Sequence, residues 1–307
     1  MKSFTKKVIR VGVRLMSGTF GSGPNNTAIY EGLETHVDIE KPGEPDQNKA
    51  TVEIYNMSLD EMASLTTLAF KPLQQKKNLI TIFAGDETEG LSMAFAGEIT
   101  GAWADFSAAP TIKMHIEAAA GSYPGLKASK PVSVKGSQTA ESLISQFAGE
   151  IGYSFQNNGV TASVKNCVLN GSPIQKMRAV ANMVGCELLI DDNKVTIQPF
   201  NKGLDSGNAV LVSADAGLIG YPTFNNDGIV AKTLYNPDLQ LGGMVEVKSI
   251  VPGASGTWKV TKLTHRLVAF SNSPADWFSE IEASPLDAPP KDAKGKAKDK
   301  AKEKAKV

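Results

Sequence analysis

Apolar residues recur at every second position through much of the first third of the chain. Between residues 9 and 15, Ile9, Val11, Val13 and Leu15 fall on one face and Arg10 and Arg14 on the other, the period of a half-buried strand. A Gly/Ser/Asn-rich loop occupies 18–26. Thr35, Val37 and Ile39 then share a face opposite Glu34, His36, Asp38 and Glu40, and Val52 aligns with Ile54 in a strand over 50–55. A helix opens at Leu59 and is predicted to run to about Leu68: Ser58 and Glu61 form a capping box, with Met57 and Met62 as the staple around it. Strands resume at 79–83, from Met93 through Ile99, and at 111–117. Short alternating strands separated by Gly, Pro and Asn turns predict a barrel or a sandwich.

The period changes in the middle. After a short strand at 132–134, Ser137 is positioned to cap a helix whose stripe is Ala140, Leu143, Ile144, Phe147, Ala148 and Ile151, with Gly152 as its stop. A second helix begins at Ser172-Pro173, a cap followed by proline at the first helical position. It buries Ile174, Met177, Val180, Ala181 and Val184 before Gly185. Residues 186–190 and 194–198 read as a hairpin around Asp191-Asp192-Asn193. From about Asn208 alternation returns, with strands at 209–212, 229–235, 244–250, 256–270 and 277–282.

This order predicts a mainly β, α+β chain: a barrel-like β domain at 1–125, a small α+β insertion at 126–205, a second barrel-like domain at 206–286 and a disordered tail at 287–307. The tail is where composition alters the picture. Among 307 residues, 32 Lys and Arg balance 32 Asp and Glu, but 291–307 holds eight lysines and three acids, leaving 24 basic and 29 acidic residues elsewhere. A neutral average thus covers an acidic body and a basic tail that has no large apolar residue except the terminal Val307 with which to build a core. The tail is suited to a solvated segment, or to contact with nucleic acid or an acidic surface. Cys167 and Cys186 lack metal or redox spacing and sit among apolar neighbours, as buried thiols do. No apolar run approaches the ~18 residues of a membrane span. Arg10 and Arg14 interrupt the stretch where an export signal needs an unbroken apolar core, so synthesis and retention in the cytoplasm are expected.

Candidate chemistry is sparse. His36 and His115 lie on polar strand faces with Glu34, Asp38 and Glu117 two residues away. Such pairs can seed a metal site, but two ligands do not complete one. His265 sits in a pattern too mixed to orient. Gly18, Gly21 and Gly23 lack the Lys-Ser/Thr and the helix of a phosphate cradle. Asp191 with Asp192, and Glu280 with Glu282, are acid pairs on a turn and on one strand face, with nothing to set the separation that paired catalytic carboxylates need. No catalytic, cofactor-binding or metal-binding residue is assigned, no cofactor is expected, and the pattern favours a protein that works through surfaces.

Several segments resemble one family. Residues 33–41 and 48–58 are similar to the start of contractile-tail phage baseplate hub proteins, the late-control class. More specific are Gly217, Gly220 and Pro222, followed by Leu234, Asn236, Pro237, Gly242, Val245, Val247 and Ser249, which match the family's "tGligxP … LlNPxlxxGxxVxvxS" pattern. Residues 256–265 and Asp276-Trp277-Phe278 resemble its closing strands. The likeness covers patches of 8–283. It implies a homotrimer whose two barrel-like domains per subunit present six similar units to a sixfold tail tube. The other end would keep threefold symmetry for a central spike, around a channel for DNA. Implied partners are the tube or tube-initiator protein, the spike, the tape-measure protein and other baseplate proteins, without membrane anchoring. The implied location is the virion, after assembly in the host cytoplasm. Independently of the name, the glycines and Pro222 read as a turn leading into a strand. A different class of function, in which a LysM-like middle segment binds peptidoglycan or the chain lyses the cell wall, is the alternative.

Overall fold

The computed structural model describes residues 5–20, 24–66, 78–122, 125, 129–204, 209–271 and 276–286; the tail at 287–307 and the last residues of the first predicted helix lie outside them. The first segment contains β1 (Lys7–Arg14), β2 (Thr27–Glu31), β3 (Thr35–Lys41), β4 (Lys49–Tyr55), α1 (Leu59–Leu65), β5 (Leu79–Asp86), β6 (Gly90–Asp105) and β7 (Lys113–Ala119). The middle segment contains β8 (Val132–Thr139), α2 (Ala140–Glu150), β9 (Ser154–Asn157), β10 (Ser163–Leu169), α3 (Pro173–Val184), β11 (Glu187–Asp191) and β12 (Lys194–Gln198). The last contains β13 (Val210–Ser213), a 3-10 turn at Ala214–Ala216, β14 (Leu218–Phe224), β15 (Ile229–Leu234), β16 (Met244–Lys248), β17 (Gly256–Ala269) and β18 (Trp277–Ser284).

The two β-rich segments share a single sheet of 13 strands, ordered β14-β15-β18-β17-β3-β4-β7-β6-β5-β1-β2, with β16 attached to β17 and β13 to β16. All pairings in it are antiparallel except β13–β16. The seam between first and last segments is a full ladder, Leu263↔Lys41 to Ala269↔Thr35. β17 is long enough to serve two cores. Its Val260 and Leu263 pack with Ile229, Val247 and Ile281, whereas Leu267 and Ala269 join Val11, Val37, Ile54, Ile82 and Phe95. A third cluster lies wholly in the middle segment and joins the two helices through Phe147, Met177 and Val180.

The period-2 faces are buried as the alternation requires: Ile9, Val11, Val13 and Leu15 are all core. α1 begins at the Ser58 cap, which accepts from the Glu61 backbone N–H, and Met57 and Met62 are both buried. α3 carries the full capping box between Ser172 and Gln175 and ends at Gly185 in the left-handed region. The hairpin β11–β12 turns at Asp192-Asn193.

Three local expectations fail. Ser137 does not cap α2: β8 continues past it, paired with Lys165 on β10, and Thr139 is the cap. Continued ladder bonds outweigh one side-chain cap when a partner strand is beside the chain. Gly220 and Pro222 are not in a turn but inside β14, where the register shifts between Ile219 and Thr223. Proline is tolerated there because β14 is the outermost strand of the sheet and needs no donor on that side. Gly217 does turn the chain, with φ +98° after the 3-10 turn. β2, β9 and β10 have no counterpart in the alternation; in β2 only Tyr30 is buried, so there is little period to read.

Candidate functional surface

From β6 to β14 the sheet turns its apolar side chains onto the cores, and the alternate positions form one outward face. Cross-strand register sorts that face into rows. One row reads Lys232, Glu280, Thr264, Glu40 and Lys49. The next reads Leu234, Phe278, Arg266, Asp38, Thr51, Glu117 and Gly101. A third reads Val268, His36, Glu53, His115 and Trp103. Neighbours of opposite sign pair across strands: Arg266 with Asp38 at 3.5 Å, Lys262 with Glu282 at 3.3 Å and Lys113 with Glu53 at 2.8 Å. Burial opposes the Glu53 charge, but bonds from Lys113, His115 and Tyr55 outweigh it and hold the carboxyl below its ordinary value. Burial raises Asp38, partly countered by Arg266 and reinforced by Glu40 and other acids. The acids Asp38, Glu40, Asp105, Glu117, Glu280 and Glu282 are not matched one for one by Lys49, Lys232, Lys262 and Arg266, so the face is mixed and slightly acidic.

The two lateral margins of this face are different in kind. On one side Tyr221 is 65% and Phe224 56% exposed on β14, and Leu234 is exposed on the neighbouring β15. On the other, Trp103 is 42% and Phe106 52% exposed at the end of β6. β5 pairs with β6 only as far as Glu98. Among the described residues no strand pairs with β6 beyond Ile99 on that side, and none with the outer edge of β14. Large exposed aromatics at two open sheet edges, flanking a charged middle, mark surfaces meant to be covered.

The residues singled out in the sequence take the following places. His36 and His115 lie in one row, separated by Glu53. His36 Nε2 is 3.1 Å from Glu34 and its ring packs on Tyr55; His115 Nδ1 is 3.4 Å from Glu53 and its ring is 4.1 Å from Trp103. Among the described residues no group of three or more His, Cys, Asp or Glu is placed to hold a metal ion. His265 is buried at 3% exposure, with Nδ1 2.8 Å from Ser279 Oγ. Burial, then the charge of Lys41, lower its pKa to about 3, so it is a neutral core group. Glu280 and Glu282 face outward on β18. Gly18 lies in a loop; Gly21 and Gly23 are outside the described residues. Cys186 is buried, and burial pushes its thiol up to about 11; Cys167 is half-buried.

Asp191 and Asp192 are not a surface turn. They reach across to Lys41 of β3, 2.7 Å from Asp191 Oδ1 and 3.6 Å from Asp192 Oδ2. Asn48 Nδ2 donates to Asp191 Oδ1 at 2.9 Å, and the Ala96 N–H donates to Asp192 Oδ1 at 2.8 Å. Two further ion pairs tie the middle segment down: Arg178 of α3 to Glu44, and Lys259 of β17 to Glu187 at 2.5 Å. Between these pairs lies a cleft of about 400 Å³, lined by Leu188, Leu189, Phe200, Leu241 and Val260 among others. The middle segment therefore bridges the β3–β17 seam. Sequence reasoning missed this bridge and Lys176, which is fully buried and donates to Ser129 Oγ and the Lys130 carbonyl. A lysine within an otherwise apolar helical stripe was the available signal.

Comparison with known proteins agrees with a surface role. No curated protein sequence matches the chain. Among solved structures, a tail protein from Neisseria meningitidis MC58 superposes with a TM-score of 0.61 at 10% identity, covering 90% of this chain and 96% of its own. The 43 kDa tail protein of prophage MuSo2 from Shewanella oneidensis gives 0.59 at 11% identity, covering 91% and 97%. An E. coli component of the type VI secretion system, itself described as structurally similar to T4 bacteriophage tail proteins gp27 and gp5, gives 0.56 at 9% identity, covering 89% and 76%. These likenesses establish a shared fold. Residues 8–273 match the family described as baseplate hub gp41. The chain belongs to that family, and its role is a structural one in the baseplate of a contractile bacteriophage tail.

Proposed function

We propose that the chain acts as a homotrimer that joins the sixfold tail tube to the threefold central spike and encloses a channel for DNA. The observation that carries this reading is the single sheet with an open, apolar edge at each side and a charged face between them. An edge of each kind on every copy allows head-to-tail association, and closing the ring would cover both. Two β-rich segments per copy, each with its own core and joined at the β3–β17 seam, would present six similar units in a trimer. The working division is 1–125 and 206–286 as barrel-like domains, 126–205 as an insertion and 287–307 as a tail. A slightly acidic inward face would repel phosphate and let DNA slide without reading it. The tube or tube-initiator protein, the spike, the tape-measure protein and other baseplate proteins are the partners this role requires, with assembly in the host cytoplasm. The ion pairs Lys41–Asp191, Glu44–Arg178 and Glu187–Lys259 favour a fixed bracket over a free LysM-like module that binds cell wall.

The test combines solution mass with cysteine cross-linking. Single cysteines along 100–105 of β6 are paired with single cysteines along 218–224 of β14. A mass of three chains, with at least one pair giving a covalent trimer under oxidation, is the expected result. A monomer at micromolar concentration that is also absent from purified tails would overturn the reading.

A further inference from the structure

The junction around Lys41 has a charge imbalance that the family role does not use. Lys41 of β3 is almost wholly buried and meets two carboxylates, Asp191 and Asp192, at the tip of the β11–β12 hairpin. One cation, almost sealed from water, thus faces two half-buried anions, Asp192 at 15% side-chain exposure being less exposed than Asp191 at 26%. The other groups packed around it do not supply a second positive charge. From β4 comes Asn48, which donates to Asp191; from β6 come the Ala96 N–H, which donates to Asp192, and Glu98, which accepts from the Ser122 N–H at 2.9 Å. Tyr153, just before β9, is held neutral by burial, with Glu98 and Asp192 reinforcing the effect. From β17, His265 is kept uncharged beside Lys41. Lys194, across the hairpin from Asp191, is exposed to solvent.

We propose that this cluster is a proton-operated latch between the middle segment and the sheet: with one proton on the aspartate pair it closes charge-neutral, and without that proton the hairpin tip is held less tightly. Asp192 is the group that takes the proton. It lies farther from Lys41 than Asp191 does, and burial, ahead of all other influences, raises its pKa from 3.8 to about 6. Burial opposes the charge of Lys41 as well, but Asp191 and Asp192 together outweigh it, so Lys41 stays protonated.

The sign follows from linkage. The closed junction holds a proton that the open one, with Asp192 in water, releases. The contribution of that proton is full below pH 3.8 and is lost as pH rises through about 6. Between pH 5 and pH 7.5 the open population should therefore increase about tenfold. The device makes the middle segment firmly docked in mild acid and more readily released at neutral pH and above.

The experiment is hydrogen exchange on the full chain at pH 5, 6 and 7.5, corrected for intrinsic rates, read at the Ala96 amide and at residues 190–193. β4 core amides are the reference. Wild type should lose about tenfold protection at the junction, with no change at β4. Asp192→Asn, neutral at every pH and still able to accept from Ala96, should keep its protection constant. Asp191→Asn, which leaves one carboxylate for one lysine, should also flatten the profile. Protection in wild type that does not vary with pH would overturn the proposal. So would an Asp192→Asn profile that still falls as pH rises.

Discussion

Gly242 shows how a single residue can be required by two elements that are far apart in the chain. Its φ of +76° lies in the left-handed region, and a Cβ there would sit 2.4 Å from Leu189 Cδ1 on β11 and 3.2 Å from Gln198. The turn before β16 and the packing of the middle segment both depend on the missing side chain. Gly242→Ala should cost about 2–3 kcal/mol from backbone strain and overpacking together, seen as a lower urea midpoint with an unchanged slope. The adjacent Gly243 should tolerate alanine better, since its backbone is not left-handed and its nearest neighbours, the Gln240 carbonyl at 3.0 Å and Cβ at 3.6 Å, lie farther off than Leu189 does from residue 242. Glycine at 242 was legible as a turn signal. Its second duty was not, because Leu189 arrives from 53 residues away.

At the scale of elements, local signals were reliable where the chain satisfies itself. Ser172, Pro173, Gln175 and Gly185 delimit α3 without help from the rest of the molecule. Ser172→Ala removes the acceptor for the Gln175 N–H and should cost about 1 kcal/mol. The melting temperature should then fall by roughly 2–4 °C, with Ser172→Asp restoring most of the loss. Local reading failed where a distant partner decides. Ser137 has the composition of a cap, yet it is held in β8 by β10, almost thirty residues later. β14 looked like a turn because it contains Gly220 and Pro222, but an edge strand needs only one bonded side and absorbs both in an irregular register.

For the whole molecule, the decisive event is the pairing of β3 with β17. It converts two separately patterned β segments into one face on which Glu40 and Glu280 flank Thr264 in a single row. If that face lines a passage, reversing both charges should let it bind phosphate. The Glu40→Lys, Glu280→Lys double variant is expected to retain double-stranded DNA at low salt more strongly than wild type, both being compared without the lysine tail at 287–307. The logarithm of its affinity should fall against the logarithm of salt concentration with a slope of about one per phosphate that the new lysines neutralise. Equal and negligible retention by both proteins would place this face away from the DNA path.

Sequence alone determined the strands with clean alternation, both middle helices with their faces, the hairpin tip, and a family pattern carried by glycines, Asn236 and Pro237. All of these depend on residues close together in the chain, where period and turn chemistry act directly. Only tertiary structure decided that the first and last segments share a sheet, that His265 is core, and that Asp191 and Asp192 clasp a buried lysine. It alone placed exposed aromatics on the outermost strand β14 and at the open end of β6. The shared sheet and the clasp depend on contacts between elements more than a hundred residues apart, and a period of two says which face a side chain takes without saying which strand lies beside it.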